Sequence, residues 1–145
     1  MTELAFHFGA PDKLAYACRL LRKAVSSGAQ VTVLADAARL QSLDGALWAL
    51  SATDFVPHCM ADAEPKVLHR SAVVLTSELD QLDTRRHVLV NLSDAVPAGF
   101  DAFARLIEVV SLDATDREYA RQRWRHYTAL GYAIDRHDLN LKNNT

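Results

Sequence analysis

The alternation of apolar runs with amphipathic segments in the first fifty residues constrains this fold more than any other feature. Residues 4–8 form a short apolar run that ends at Gly9 and Pro11, which is typical of a strand and a turn. From Pro11, whose fixed φ suits the first turn of a helix, apolar residues recur at helical spacing as far as Gly28. Residues 31–35 are β-branched and apolar, as in a strand covered on both faces. This order predicts parallel strands joined by right-handed crossovers.

The rest of the chain continues the pattern less regularly. Asp36 is expected to cap a second helix, whose buried stripe is Leu40, Leu43, Leu47 and Leu50. Residues 55–59 are predicted as an edge strand or extended loop, because Pro57 cannot donate to a central ladder, and residues 61–70 as a surface loop. Further strands are predicted at residues 73–75, 88–90 and 106–110, the last of these being the final strand. A short helix is expected near Phe100, and a last helix over residues 114–130 that ends at Gly131.

These elements predict one Rossmann-like α/β domain, with a mostly parallel sheet and helices on both faces. The 145 residues suit a single domain. Half of them are apolar, and a domain of this size buries about 68–70% of its unfolded surface, so the core needs no metal or disulfide. The polar residues 140–145 are expected to form a flexible tail.

Charge and cysteine usage limit the classes of function. Sixteen basic and eighteen acidic residues give a net charge of −2, whereas a protein that binds DNA through many phosphates has a basic excess. We therefore expect little direct DNA binding. Cys18 and Cys59 lie outside any CxxC spacing, Glu3 stands where a signal peptide carries positive charge, and no apolar run approaches the ~18 residues of a membrane span. The expected compartment is the cytoplasm, with no membrane partner.

The sequence contains no recognisable motif for catalysis or for binding a cofactor. The first strand-to-helix turn has one glycine, Gly9, and Asp12 there would repel a phosphate; the turn after Ala35 has no glycine. The six histidines form no HExxH motif or helical ligand pair, so neither a metal nor a cofactor is predicted. One alternative is a small nucleotide- or flavin-dependent enzyme on a flavodoxin-like fold. Another is direct binding of single-stranded DNA, which needs an aromatic-lined basic groove.

Two groups of residues suggest partner surfaces. Trp48, Phe55 and Pro57 either fill the core between the second helix and the sheet or anchor a protein interface. In the last helix Arg117, Arg121 and Arg125 recur at four-residue spacing, with Trp124 beside them. Residues 117–131 hold four arginines and one glutamate, a local charge of +3. This helix is either a solvated basic end or a small pocket for an acidic peptide, in which arginines bind carboxylates and the indole packs on an apolar side chain.

At these segments the sequence resembles the chi subunit family of bacterial DNA polymerase III. The matching stretches are residues 17–20, 43–48, 55–58, 88–92, 103–110 and 120–127 with Gly131, in family order over nearly the whole chain. The resemblance implies a Rossmann-like domain without enzymatic activity. It implies an accessory subunit that links the clamp loader, through the psi subunit, to the C-terminal tail of single-stranded DNA-binding protein.

The resemblance also implies which residues bind each partner. The tail is acidic and ends in an apolar residue with its carboxylate. It would be bound by Arg121, Trp124 and Arg125, with Gly131 close by and Arg117 as an outer contact. The psi-facing surface would involve Trp48 and Phe55, together with Pro57. A repair helicase is a further candidate partner.

Overall fold

The computed structural model describes residues 1–50, 56–79 and 87–139, which form seven strands and four α-helices. The strands are β1 (Glu3–Ala10), β2 (Val31–Leu34), β3 (His58–Met60), β4 (Val73–Thr76), β5 (Val88–Asn91), β6 (Arg105–Ser111) and β7 (Ile134–Asp138). The helices are α1 (Lys13–Ser26), α2 (Ala37–Trp48), α3 (Pro65–Arg70) and α4 (Ala114–Ala129), with a 3₁₀ turn at Phe100–Ala102.

The strands form one sheet in the order β3-β4-β2-β5-β6-β1-β7, and every neighbouring pair is parallel. Alternate residues of β6 point into two separate cores: Ile107 and Val109 lie in the first, and Leu106 and Val110 in the second. Helices α1 and α2 supply the first core, and α4 supplies the second. The Rossmann-like α/β fold with helices on both faces is thus confirmed, and the sheet is wholly rather than mostly parallel.

Local sequence accounts for where the helices start and stop. Asp12 caps α1 by accepting a hydrogen bond from the Ala15 N–H at 3.1 Å, so Pro11 precedes the cap and does not lie in the first helical turn. Asp36 caps α2 in the same way, as predicted, and Asp113 caps α4. Gly28 follows α1 with a φ of 88°, a backbone conformation that favours glycine.

Three details of the predicted element list are wrong. Residues 106–110 are not the last strand, because β7 follows α4. Strand β7 lies at the edge of the sheet and is mostly polar, so it lacks the continuous apolar run that predicts a buried strand. Residues 61–70 include the helix α3, which has Pro65 at its start and no buried residue to produce an apolar stripe. Helix α2 ends at Trp48, so Leu50 lies beyond it. The predicted tail, residues 140–145, lies outside the described residues, as does Phe55.

Candidate functional site

Helix α4 is fixed to the sheet by a buried ion pair. Arg123 is 2% exposed and Glu108 is fully buried, and the Arg123 Nε donates to Glu108 Oε1 at 3.0 Å. The Tyr127 hydroxyl donates to Glu108 Oε2 at 2.6 Å, and the Asn91 amide donates to both carboxylate oxygens. Arg123 Nη1 also donates to the Asp94 carbonyl at 2.8 Å. This network sets the rotation of α4 about its axis, and therefore which of its side chains face solvent.

The network corrects the predicted charge of α4. The local charge of +3 includes Arg123, whose charge Glu108 neutralises inside the core. Three arginines and Glu118 remain exposed between residues 117 and 131, so the surface charge is +2 rather than +3. A glutamate within the apolar strand β6 is the signal that could have revealed the pair, because a buried carboxylate requires a partner. Burial raises the pKa of Glu108, an effect that the Arg123 guanidinium opposes.

The exposed arginines and Trp124 lie along one flank of α4. Trp124 is half-buried and packs against Phe6 and Phe8 of β1, with ring centroids 5.0 and 5.9 Å away. Arg117 lines a small cavity together with Phe8, which places it on the same flank. Arg121 lies between them, four residues from Arg117 and three from Trp124. The structure thus brings together a half-buried indole and a row of exposed guanidinium groups.

Arg121 is the only member of this row with an ion pair in the part of the chain that the structure describes. Its Nη1 donates to Glu118 Oε2 at 2.6 Å, and both side chains are about half exposed. An exposed pair of this kind contributes little to stability, so it can be exchanged for another carboxylate. Arg125 is exposed and lies nearer the outer crest of the helix.

Gly131 has a structural role at the end of α4. Its φ is 93°, and the Tyr132 N–H donates to the Tyr127 carbonyl at 3.1 Å across the turn that closes the helix. Gly131 stands fourteen residues after Arg117, which is about 20 Å along a helix. It therefore lies at the far end of α4 from Arg117, and its part in ligand binding stays a prediction.

The second predicted surface centres on Trp48. This side chain is 61% exposed at the end of α2, so of the two alternatives for Trp48 the position in the core is wrong. Its ring lies 5.1 Å from the ring of His58, which is buried and contacts Asp44 Oδ1 at 3.0 Å. Pro57 is half-buried and precedes the edge strand β3. An exposed tryptophan is typical of a protein interface, and Pro57 adjoins His58, the residue that the indole contacts, in the chain.

The helix N-termini that bind phosphate in many Rossmann-like folds are occupied by the protein itself. The Asp12 carboxylate accepts from the first turn of α1, and the Asp36 carboxylate accepts from the Arg39 N–H in α2. These two helix starts therefore present negative charge. Among the described residues, no group of three or more His, Cys, Asp or Glu side chains is placed to bind a metal ion. In the same ranges, none of the helices has the length and apolar character needed to cross a membrane.

A second polar contact ties the start of α4 to the start of α1. Asp116 accepts a hydrogen bond from the Ser111 N–H at 2.8 Å and from the Lys13 ammonium at 2.9 Å. Burial alone would raise the pKa of Asp116, but the Ser111 N–H and the Lys13 ammonium outweigh it and hold that pKa below its usual value. Burial lowers the pKa of Lys13, although Asp116 opposes this change. The contact thus favours the ionised form of Asp116.

We expect the substitution Asp116→Asn to lower the free energy of unfolding by about 1–2 kcal/mol at neutral pH, because it removes a charged hydrogen bond. A carboxyl group with a lowered pKa stabilises the fold above its unfolded-state pKa of about 3.9, and this contribution is lost as the pH falls through the folded-state value. The difference between the wild type and the variant should therefore shrink below about pH 4. Urea unfolding at pH 7, 5 and 3 measures it, and a difference that stays constant over this range would contradict the assignment.

The fold and its exposed surfaces define a Rossmann-like α/β protein that presents one aromatic and one basic surface. Residues 1–135 match the family model described as "DNA polymerase III chi subunit, HolC". The chain is 33% identical over 128 residues to DNA polymerase III subunit chi of Pseudomonas aeruginosa, covering 88% of this chain and 87% of that protein. It is 26% identical over 119 residues to the Escherichia coli K12 protein of the same name, covering 81% and 80%.

The chain belongs to the chi subunit family of DNA polymerase III, whose members are non-catalytic accessory subunits in DNA replication. A comparison of folds adds the structure of the C-terminal domain of the DEAD-box protein Dbp5, with a TM-score of 0.60 and 12% sequence identity. That match covers 97% of this chain and 91% of the other, and at this identity it shows a shared fold alone.

Proposed function

We propose that this chain links the clamp loader to single-stranded DNA-binding protein in the cytoplasm. In this proposal the flank of α4 binds the acidic C-terminal tail of single-stranded DNA-binding protein, and the Trp48 surface binds the psi subunit. The observation that carries the proposal is the row of exposed arginines beside Trp124, held in place by the buried Glu108–Arg123 pair. Membership of the chi subunit family supports it, since that family has an accessory role in replication.

The chemistry of the flank suits the end of an acidic peptide. A guanidinium group donates two parallel hydrogen bonds to a carboxylate, which favours Arg121 and Arg125 as ligands of the terminal carboxylate. Arg121 can exchange its contact with Glu118 for the peptide, because that pair is exposed. The half-buried indole of Trp124 offers an apolar face for the last side chain.

Calorimetric titration with two synthetic peptides tests this proposal. One peptide carries the last residues of single-stranded DNA-binding protein with a free C-terminus, and the other has the same sequence with an amidated C-terminus. We expect amidation to weaken binding by about tenfold, because it removes a charged hydrogen-bond acceptor. Added salt should weaken binding of the free-carboxylate peptide. Equal affinity for both peptides, or no binding of either, would contradict the proposed role of α4.

The Trp48 surface gives a separate prediction. We expect Trp48→Ala to abolish co-purification with the psi subunit, because truncation of an exposed tryptophan anchor removes most of an interface's affinity. The melting temperature and the affinity for the tail peptide should stay the same, since the side chain is largely exposed. Leu130→Ala is the matched control, because Leu130 is also an exposed apolar side chain but lies at the end of α4. Retention of the psi subunit by the Trp48 variant would remove this surface from the proposal.

A further inference from the structure

A small cavity lies between α4 and the edge strand β7, beside the flank that holds Trp124. Its volume is about 150 Å³, and its lining includes Phe8, Gly9, Arg117, Arg136 and Asp138. These residues come from the carboxyl ends of β1 and β7 and from the first turn of α4. A water molecule occupies about 30 Å³ in the liquid, so the cavity has room for a carboxylate side chain and accompanying water.

Arg136 is already positioned for a ligand. Its guanidinium carbon lies 4.4 Å from the centre of the Phe8 ring, and its Nε donates to Asp138 Oδ2 at 2.9 Å. These two contacts hold the planar group at the cavity while its terminal nitrogens remain available to donate hydrogen bonds to a second carboxylate. The resemblance to the chi subunit family implies no role for Arg136, which lies on β7, a strand that the apolar pattern of the sequence does not predict.

The charges around the cavity favour one further anion. Arg117 has no ion pair within the described ranges, and Arg136 has only Asp138. Two guanidinium groups therefore face one carboxylate, and the lining carries a net charge of +1. The hydrogen bond from Arg136 lowers the pKa of Asp138, which keeps that carboxylate ionised at neutral pH. A single added carboxylate would make the cavity neutral.

The distance from Trp124 sets where such a carboxylate would lie on a peptide. Arg117 is seven residues from Trp124, which is about 10 Å along the helix. An extended peptide covers this distance in about three residues, at roughly 3.3 Å each. A peptide whose last side chain packs on Trp124 and which runs along the flank toward the start of α4 would therefore place its third or fourth residue from the end at the cavity.

We propose that the cavity between Arg117 and Arg136 binds an acidic side chain of the tail, about three residues before its apolar end. This inference rests on the proposed function of α4 and adds a second carboxylate site to it. Arg136 and Asp138 then determine how strongly the chain selects an acidic residue at that position. Trp124 then contacts the apolar end of the tail, and the cavity contacts the upstream acidic residue.

A double-mutant cycle in calorimetry tests the inference. The two probes are the tail peptide and the same peptide with the acidic residue about three positions before its end replaced by its amide. We expect Arg136→Ala to lower the affinity for the acidic peptide by about five- to tenfold, because this peptide loses a charged hydrogen bond. The affinity for the amide peptide should stay the same. Asp138→Asn should raise the affinity for the acidic peptide, since the substitution removes a carboxylate that competes for Arg136. The matched control is Arg105→Ala, an exposed arginine at the amino end of β6, whereas the cavity lies at the carboxyl ends of β1 and β7.

The possible outcomes distinguish failure of the cavity site from failure of the proposed tail binding by α4. If the wild type binds the acidic peptide, and neither Arg136→Ala nor Asp138→Asn changes the affinity beyond the Arg105→Ala control, the cavity is not a ligand site. An equal loss for both peptides on Arg136→Ala also overturns it, because the arginine would then act without contacting the acidic residue. Failure of the wild type to bind either peptide overturns both the cavity site and the proposed function of α4.

Discussion

Replacing Glu108 with alanine is expected to lower the free energy of unfolding by about 3–5 kcal/mol, because it leaves a buried guanidinium group without a counter-charge. Arg123 is almost wholly buried, and its Nη2 already has no hydrogen-bond partner within the described residues. The variant would also remove the acceptor of the Tyr127 hydroxyl and of the Asn91 amide. Urea unfolding followed by circular dichroism measures the loss.

Two further variants show whether the charge itself causes the loss. Glu118→Ala removes an exposed glutamate from the same helix and should change the free energy of unfolding by less than about 0.5 kcal/mol. The double variant Glu108→Leu with Arg123→Met removes both charges and should recover much of the lost stability. A loss of less than about 1 kcal/mol in Glu108→Ala would contradict the view that this pair anchors α4.

Replacing Arg121 with alanine is expected to weaken binding of the acidic tail peptide by about 1.5–3 kcal/mol, the contribution of a hydrogen bond to a charged group. This corresponds to a roughly 10- to 150-fold increase in Kd. The fold should be unaffected, because the Arg121 side chain is half exposed and its pairing with Glu118 contributes little to stability. Calorimetry with the wild type, the variant and Arg105→Ala measures the effect. Equal affinities for all three would remove Arg121 from the site.

The first half of the fold could be predicted from the sequence because its signals are local. Caps such as Asp36, the glycine after α1 and the apolar stripe of α2 each depend on residues close in the chain. Strand β7 could not be predicted in this way. It lies at the edge of the sheet and carries charged residues at most positions, so its strand character comes from pairing with β1.

The buried face of α4 shows why the candidate site could be predicted only in part. Its buried residues are Asp116, Ala120, Arg123 and Tyr127, so two of the four are charged. An apolar stripe is therefore absent from the sequence. The spacing of the arginines places Arg123 off the row of Arg117, Arg121 and Arg125, but it does not distinguish a buried position from an exposed one. Only the position of Glu108, fifteen residues earlier on β6, makes that distinction.

The exposure of Trp48 depends on contacts that are distant in sequence. An aromatic residue in an amphipathic helix is compatible with either a core or a surface position. The structure places it at the end of α2, about 100° around the helix from the buried Leu47, with its ring beside that of His58 in the edge strand β3. The spacing of Trp48 from the leucine stripe is compatible with exposure, but which residues pack on that side of α2 becomes known only from the structure.

The chain has two tryptophans, and each reports on one proposed surface. The most direct test of the account is therefore to follow both indole N–H resonances by NMR while the acidic tail peptide is added. We expect the Trp124 resonance to shift in proportion to peptide binding and the Trp48 resonance to stay in place. An unchanged Trp124 resonance at saturating peptide, or a shift confined to Trp48, would contradict the assignment of the tail-binding site to α4.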